Sequence, residues 1–406
     1  MTDQKLREAQ MQFSSASSIK PHFEDAINEV IAQIERQMQG LTIDFAQVFL
    51  TPHFRVAAPS LAKKLQATLA PKVLIGCTAE SVIDRRHEIE QIPAITLVAA
   101  HLPEIEIVPF KLQTMNWTEL LEKAEAFQKA IPVPDHTKLF VLLCDPFTTP
   151  VEQVLNAFNT FHPNLPMIGG LASGSHRPGG NVLFFNDSVI NNGAVGVAFA
   201  GPLEVDIIVS QGCRPVGRPF TVTSVRENVV QLLEGEAPLK HLQRLISDLS
   251  SEDQDLLQHG LFIGRAINPN EETLGRGDFL IRGVMGLDRE NGAMIVNDHL
   301  SQGEKIQFHL RDANTAAEDL EMMLTPQMLY DPPAGAFLFS CNGRGTRLFD
   351  YPDGDISTLR KVVGEVNLAG FFCAGEIGPV GGKNFLHGHT ASLALFRPMT
   401  IEENLR

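Results

Sequence analysis

The pattern of apolar and polar positions alternates along the chain between short apolar runs and helical spacing. Short apolar runs predict buried strands, and apolar residues three and four positions apart predict amphipathic helices. Residues 1–18 are polar and rich in Ser, and they are predicted to form a loose tail. An amphipathic helix is predicted to follow, from Phe23 to the helix-ending Gly40.

Three segments share one order of predicted elements: a strand, a helix, a second strand that ends in a turn of small residues, and an apolar return strand. The predicted elements lie at 46–51, 59–69, 73–77 and 95–99 in the first segment, at 139–144, 150–161, 167–170 and 193–200 in the second, and at 336–341, 356–366, 370–373 and 391–396 in the third.

Sequence spacing supports repetition, because Thr51 and Cys77 are as far apart as Cys144 and Gly170. The resulting alignment pairs Cys77 with Cys373, Glu80 with Glu376, and Cys144 with Cys341. Two explanations stay open: descent from one repeated unit, or a common strand–helix–strand order that recurs by coincidence.

A different pattern separates the second and third segments. The Gly/Pro-rich sequence GCRPVGRP at 212–219 is the predicted domain boundary. Helices are predicted at 227–233, 239–247 and 252–258, and strands at 261–267, 278–287, 293–296 and 305–310. The predicted fold class is α/β (mixed α+β), with two domains of helix-covered sheets built partly from the repeated units. The predicted ranges are a tail and helix at 1–40, a first domain at 41–212 and a second at 220–398.

Charge and composition narrow the classes of partner. The net charge of −15 argues against nucleic acid or an anionic membrane as the main partner, because both need clustered Lys and Arg. No apolar run is long enough to span a bilayer, and the N-terminal sequence does not resemble a secretory signal. The cysteines are scattered, which predicts reduced thiols and a cytoplasmic protein. They are Cys77, Cys144, Cys213, Cys341 and Cys373.

The densest group of reactive side chains and glycines lies at 370–396, in GFFCAGEIGPVGGKNFLHGHTASLALF. A phosphate-binding loop needs Ser or Thr after its lysine, but Asn384 follows Lys383. A dinucleotide fingerprint needs a helix after its glycines, but 385–396 is a predicted strand. His387 and His389 share one face of that strand, which suits either zinc binding or a hydrogen-bonded polar pair. No cofactor and no metal is predicted.

Two further features suggest chemistry. Cys341 and Cys373 each end an apolar strand, so either could be a nucleophile with His387 as base, or a buried cysteine that packs as a small hydrophobe. The sequence SCNGRG at 340–345 places Arg344 between two glycines, which favours binding of a carboxylate or phosphate, or else a surface turn.

These residues resemble the FIST family, whose name abbreviates F-box and intracellular signal transduction proteins. The resemblance rests on FSCNGRG at 339–345, GFFCAGEIGPVGG at 370–382 and FLHG at 385–388, with IGCTAE at 75–80 and IGGLASG at 168–174. It implies a sensory ligand-binding module whose ligands are small molecules, amino acids in particular. The sequence has no F-box, kinase or chemoreceptor segment, so the resemblance names no output.

The leading prediction is a small-molecule-binding signal-transduction module whose ligand is an amino acid or a similar small carboxylate. Its predicted partners are that ligand and a signalling protein. The alternatives are a cysteine-dependent enzyme using Cys373 or Cys341 with His387, and a protein-interaction scaffold. The predicted ligand-binding residues are Cys77, Glu80, Gly169, Gly170, Ser173, Cys341, Asn342, Arg344, Cys373, Glu376, Lys383, Asn384 and His387.

Overall fold

The computed structural model describes residues 7, 9–113, 116–271 and 273–399. Residues 1–6 and 8 of the predicted tail lie outside the described residues. The helices are α1 Phe23–Met38, α2 Ala58–Leu69, α3 Trp117–Glu122, α4 Ala124–Ala130, α5 Val151–Phe161, α6 Pro238–Asp248, α7 Ser251–Gln258, α8 Ala313–Leu324 and α9 Gly354–Val363. The strands are β1 Gln12–Ser18, β2 Phe45–Leu50, β3 Val73–Thr78, β4 Val82–Ile83, β5 Glu88–Ile89, β6 Ile95–His101, β7 Glu106–Leu112, β8 Thr137–Cys144, β9 Met167–Leu171, β10 Leu183–Phe185, β11 Ser188–Ile190, β12 Ala194–Ala200, β13 Leu203–Gln211, β14 Cys213–Arg226, β15 Val229–Leu233, β16 Phe262–Ala266, β17 Phe279–Leu287, β18 Met294–Val296, β19 Lys305–Arg311, β20 Gly335–Cys341, β21 Leu368–Cys373, β22 Glu376–Val380, β23 Lys383–His387 and β24 Thr390–Pro398.

Residue contacts divide the chain into two compact units. Of the described residues, those within 1–209, 320–386 and 390–406 form the sheet unit, and those within 210–319 and 387–389 form the barrel unit. These bounds differ from the predicted ranges 41–212 and 220–398, because the main segment of the barrel unit begins within β13 and ends within α8, and the chain then returns to the sheet unit. The predicted fold class is confirmed, since both units combine sheets with helices.

The sheet unit contains three six-stranded sheets with one shared strand order. Sheet 1 is β1-β6-β2-β3-β10-β11, sheet 2 is β7-β12-β8-β9-β22-β23, and sheet 3 is β13-β24-β20-β21-β4-β5. In each sheet the first and second strands of one predicted segment pair in parallel, and the return strand pairs antiparallel with the first. We call the segments repeats one, two and three. Each repeat begins at an edge strand (β1, β7 or β13), earlier than the sequence pattern suggests.

Each repeat donates a hairpin to the sheet of another repeat. Hairpin β4–β5 of repeat one joins β21 of repeat three, and hairpin β10–β11 of repeat two joins β3 of repeat one. Strand β22 of repeat three joins β9 of repeat two. The exchange is cyclic, so no repeat completes its own sheet. It also brings the turns of different repeats together.

Glycine occupies the same position in all three second strands, at Gly76, Gly169 and Gly370. A Cβ added at any of them would lie 1.9–2.0 Å from a carbonyl oxygen of the first strand. The residues opposite are Val48, Leu142 and Leu338. Close approach of two backbones therefore requires glycine at this position.

This shared glycine also corrects the sequence alignment of the repeats. Counting from Gly76 and Gly370, Cys77 corresponds to Phe371, and Cys373 corresponds to Ala79. Glu376 pairs with Gly170 as Val82 pairs with Phe371, so the match of Glu376 with Glu80 is wrong. Cys144 likewise corresponds to Ser340 rather than to Cys341. Matching reactive residues by type shifted the alignment by one or two positions.

Apolar side chains fill four layers of the sheet unit. One central core takes side chains from the inner faces of all three sheets. Helices α1 and α2 cover the outer face of sheet 1, α3 to α5 cover sheet 2, and α8 and α9 cover sheet 3.

Two predicted elements are wrong. Part of the predicted loose tail is strand β1, which pairs with β6 along its whole length and buries Phe13. Its Ser-rich sequence hides the strand, because the hydroxyl groups sit in the sheet with little exposure. The predicted helix at 227–233 is strand β15, which pairs with both β14 and β18. The predicted connection at 212–219 runs largely within β14.

The barrel unit is a closed barrel of antiparallel strands in the order β14-β15-β18-β17-β16-β19. Its core is apolar, with Val222, Val230, Ile263 and Leu310 fully or almost fully buried. Helices α6 and α7 belong to the same unit.

Candidate functional site

Three predicted site residues from different repeats meet at the strand ends. The Glu80 carboxylate accepts a hydrogen bond from Nδ2 of Asn342 at 3.2 Å and forms an ion pair with Arg347. The Ser173 hydroxyl accepts from the backbone N–H of Glu80 at 2.9 Å and donates to the carbonyl of Phe372. These contacts join the turns of repeats one, two and three in one polar cluster.

Arg344 binds a carboxylate, but the carboxylate is internal. Its guanidinium is 1% exposed and donates from Nε and Nη2 to both oxygens of Asp355, in the first turn of α9, at 2.9 and 2.5 Å. The predicted anion-binding role therefore fails for an external ligand, because Asp355 already occupies the fork of the guanidinium.

A second buried carboxyl group, Glu88 of β5, lies beside this pair. Its Oε1 accepts hydrogen bonds from the backbone N–H groups of Asp355 and Ile356 at 2.7 and 3.0 Å. Its Oε2 has no hydrogen-bond partner among the described residues. Burial, followed by the charge of Asp355, raises the pKa of Glu88 to about 8. Two carboxyl groups thus share one guanidinium in the interior.

Glu88 lines an open cavity of about 580 Å³, which we call the acidic cleft. This volume suits a small metabolite. The cleft is lined by five carboxyl side chains together with hydroxyl, imidazole and apolar groups. They are Glu29, Asp84, Glu88, Glu90 and Asp353, with Ser17, Ser18, Thr346, His87, Ile19, Ile89, Ile92 and Pro352. These residues come from the end of β1, from α1, from hairpin β4–β5 with the residues that follow it, and from the loops before α9.

Hydrogen bonds fix the walls of the acidic cleft. Asp84 accepts from the backbone N–H groups of Arg86 and His87, both at 2.7 Å, and so closes the turn of hairpin β4–β5. Asp353 accepts from the N–H of Glu88 at 2.7 Å. These bonds hold the carboxylates of Asp84 and Asp353 in fixed positions along the cleft.

A smaller recess of about 170 Å³ adjoins the acidic cleft and shares Ser17, Asp84 and His87 with it. Arg85 and Arg86 line this recess. The structure therefore places positive charge directly beside the acidic cleft, on the same hairpin turn.

The buried thiols are poor candidates for a nucleophile. Cys77 and Cys373 are fully buried in the central core, and burial raises both pKa values well above that of an ordinary thiol. The nearby carboxyl of Glu376 raises the pKa of Cys373 further. A Cβ added at Gly170 would lie 2.4 Å from Sγ of Cys373, so this thiol fills the space that glycine leaves. A catalytic thiol needs the opposite electrostatic environment.

Four predicted site residues have other places in the fold. Asn384 binds the start of β9, accepting from the N–H of Met167 and donating to the carbonyl of Leu165. This is the end of the strand opposite to the turn that carries Ser173. Lys383 is exposed at the start of β23. Gly169 is required by the close approach of its backbone to the carbonyl oxygen of Leu142. His387 belongs to the barrel unit.

Sequence reasoning missed the residues that form the acidic cleft. A signal was present, because the hairpin turn of repeat one reads DRRHEIE at 84–90, where the other repeats have short, weakly charged turns. The alignment located this turn but did not show what it faces.

Two absences hold for the part of the chain that the structure describes. No group of three or more His, Cys, Asp or Glu side chains there is arranged to hold a metal ion. No helix there has the length and apolar character needed to cross a membrane.

The fold and the cleft define a helix-covered α/β protein with an open site of small-molecule size. The model of the FIST N domain matches residues 44–236, and that of the FIST C domain matches residues 238–379. The chain therefore belongs to the FIST family, and the resemblance seen in its motifs is confirmed. FIST domains are associated with sensing in signal transduction.

Uncharacterized mycobacterial proteins are similar along most of the chain. One from Mycobacterium tuberculosis is 36% identical over 388 residues, which is 95% of this chain and 100% of the relative. One from Mycobacterium bovis is 37% identical over 351 residues, covering 85% of this chain and 88% of the relative.

Proposed function

We propose that this protein is a sensor that binds a free amino acid, or a close analogue, in the acidic cleft. The observation that carries the proposal is the acidic cleft itself, where five carboxyl groups adjoin a recess lined by two arginines. An amino acid carries an ammonium and a carboxylate group a few ångströms apart. The paired cleft and recess offer opposite charges at adjoining positions.

The ammonium group is assigned to the acidic cleft, near Glu88, Glu90 and Asp353. The carboxylate group is assigned to the recess, near Arg85, because the guanidinium of Arg86 already donates to Glu365 at 3.0 Å. Arg344, which the sequence suggested as the residue that binds the ligand carboxylate, is not assigned that role, because its guanidinium is already bound to Asp355. The apolar side chains of the cleft would then contact the body of the ligand.

Ligand binding at this position has a structural consequence. The cleft is lined by hairpin β4–β5 of repeat one and by loops of repeat three, and that hairpin is the outer edge of sheet 3. A ligand bound there would hold the hairpin against the loop that precedes α9. In this proposal, ligand binding orders hairpin β4–β5 at the edge of sheet 3, and that ordering is the signal.

A thermal-shift screen tests the proposal with three matched sets of compounds: amino acids, their decarboxylated amines and their deaminated acids. A ligand at a hundred times its Kd stabilises the folded state by about 2.7 kcal/mol, which is a shift of a few degrees. Amino acids are expected to give the largest shift. The amines would retain part of it, and the deaminated acids the least.

Variants locate the binding site. Arg85→Ala and Glu90→Gln are expected to weaken the shift, while Lys383→Ala, on the exposed part of hairpin β22–β23, leaves it unchanged. The proposal is overturned if no compound set shifts the melting temperature. It is also overturned if the shift persists unchanged in both Arg85→Ala and Glu90→Gln.

A further inference from the structure

The charges behind the acidic cleft are unbalanced. Arg344 supplies one positive charge, and Asp355 takes both hydrogen bonds of its fork. Glu88 reaches the same α9 N-terminus through backbone N–H groups alone. When both carboxyl groups are ionised, this buried group of three carries a net negative charge, which is costly away from water.

One side of this buried group borders the acidic cleft, because Glu88 is among the residues that line it. Glu88 is 7% exposed, and its Oε2 has no hydrogen-bond partner among the described residues. A buried carboxyl oxygen without a partner, such as this Oε2, is stabilised either by binding a proton or by accepting a hydrogen bond from a ligand. This second observation distinguishes Glu88 from an ordinary acidic surface.

We propose that an ammonium ligand enters the acidic cleft in exchange for a proton on Glu88. This deepens the proposed function and rests on it, since it specifies how the same site takes its cation. The balance is simple: the Glu88 carboxylic acid and the ammonium ligand give an ion pair of carboxylate and ammonium, with one proton released to solvent. The affinity for the ammonium ligand therefore depends on pH.

The groups around Glu88 support the exchange. Arg344, Asp355, Asp353 and Tyr351 face it from the loops and helix of repeat three; Asp84, His87 and Glu90 lie on or beside its own hairpin; and Glu29 lines the far wall from α1. Most of these groups are acidic, so they disfavour a further negative charge on Glu88 until a cation arrives. The raised pKa of Glu88 agrees with this geometry.

The test uses n-butylammonium chloride, a primary ammonium with an apolar body that remains charged up to pH 9. Its apparent Kd is obtained from the thermal shift over a concentration series at several pH values from 6 to 9, against sodium chloride at equal ionic strength. Affinity is expected to rise up to tenfold per pH unit between 6 and 8 and then to level off, because each unit removes most of the competing proton.

Two variants distinguish proton exchange on Glu88 from simple electrostatic attraction between the ammonium group and the acidic cleft. Glu88→Gln keeps an acceptor for the α9 N–H groups and is expected to bind butylammonium weakly at every pH, without the rise. Glu29→Gln removes a carboxylate that does not hold the proton, so affinity falls but the rise with pH remains. If Glu88→Gln does not fold, an affinity that stays level from pH 6 to pH 9 in the wild type still overturns the exchange.

The outcomes distinguish the two proposals. Binding that is equally strong at pH 6 and pH 9, or a rise that survives in Glu88→Gln, overturns the exchange and leaves the proposed sensor standing. No binding of butylammonium at any pH overturns the exchange together with the assignment of the ammonium end to this cleft. Amino acid binding in the screen would then have to be explained at another site.

Discussion

The buried carboxyl group of Glu376 should make folding stability depend on pH. Glu376 is fully buried in β22, and its Oε2 accepts from the N–H and hydroxyl of Thr390 at 3.2 and 2.9 Å. Burial is the main cause that raises its pKa from 4.5 to about 8, despite those hydrogen bonds. The folded state therefore holds this proton more tightly than the unfolded chain does.

The sign and size follow from proton linkage. Because the folded pKa is raised, the stabilisation is fully present below about pH 4.5 and is lost as the pH rises through 8. In this window, each rise of one pH unit lowers the free energy of unfolding by about 1.4 kcal/mol for one titrating proton. From pH 6 to pH 9, Glu376 alone should reduce the free energy of unfolding by about 3 kcal/mol.

The perturbation is Glu376→Gln, which keeps an acceptor for Thr390 but has no proton to lose. We expect the variant to resemble wild type at pH 6 and to be about 3 kcal/mol more stable at pH 9. Urea unfolding followed by circular dichroism at pH 6, 7, 8 and 9 measures the difference. Glu125→Gln, an exposed substitution on α4, is the matched control and should follow the wild-type curve.

One result would refute this reasoning: wild type and Glu376→Gln losing stability in parallel between pH 6 and pH 9. That outcome would mean that Glu376 is ionised inside the folded protein at pH 6. Glu88 also has a pKa raised to about 8, so the variant should keep part of the wild-type dependence and not become flat.

Three further substitutions test the packing of the sheet unit. Gln47→Leu should raise the free energy of unfolding by about 1–3 kcal/mol. The reason is that both polar atoms of the buried Gln47 amide lack a partner among the described residues. A loss of stability in urea unfolding would contradict this. Gly370→Ala should prevent folding or lower the melting temperature strongly, while Gly283→Ala, which has open space, should change it little. Asp355→Asn should cost about 3–5 kcal/mol in urea unfolding, because it removes the carboxylate that accepts both hydrogen bonds of the buried Arg344 fork; an unchanged midpoint would refute the pairing.

Local pattern predicted the repeated elements well, because each repeat has strong periodicity and clear turns. The predicted strand 73–77 and helix 59–69 differ from β3 and α2 by one residue at one end. Strand β1 was missed for a physical reason: Ser14 and Ser15 look polar in sequence, yet they lie buried within a sheet. Hydroxyl groups can be buried when the sheet supplies backbone partners, and sequence alone does not show that supply.

The candidate site was harder to predict, because it depends on the hairpin exchange. Strand β4 is only two residues long, and it pairs with β21, far along the chain. Nothing in so short a strand specifies a distant partner. Arg344 illustrates the consequence: its binding of a carboxylate was anticipated, but that the carboxylate is Asp355 follows from how the loop and α9 fold.

Departures from the repeat identify the site more sharply than the repeat itself does. In repeat two, Val189 occupies the position that Glu88 holds in repeat one, since both lie opposite the strand residue that meets the shared glycine. An apolar residue serves the structural purpose there, so a buried carboxyl at this position in repeat one is not required by the fold. Ionising Glu88 beside Asp355 is costly, and in the proposed exchange a bound cation offsets that cost. A ligand ammonium group in the acidic cleft would offset that cost, because it supplies the second positive charge that the buried carboxyl pair lacks.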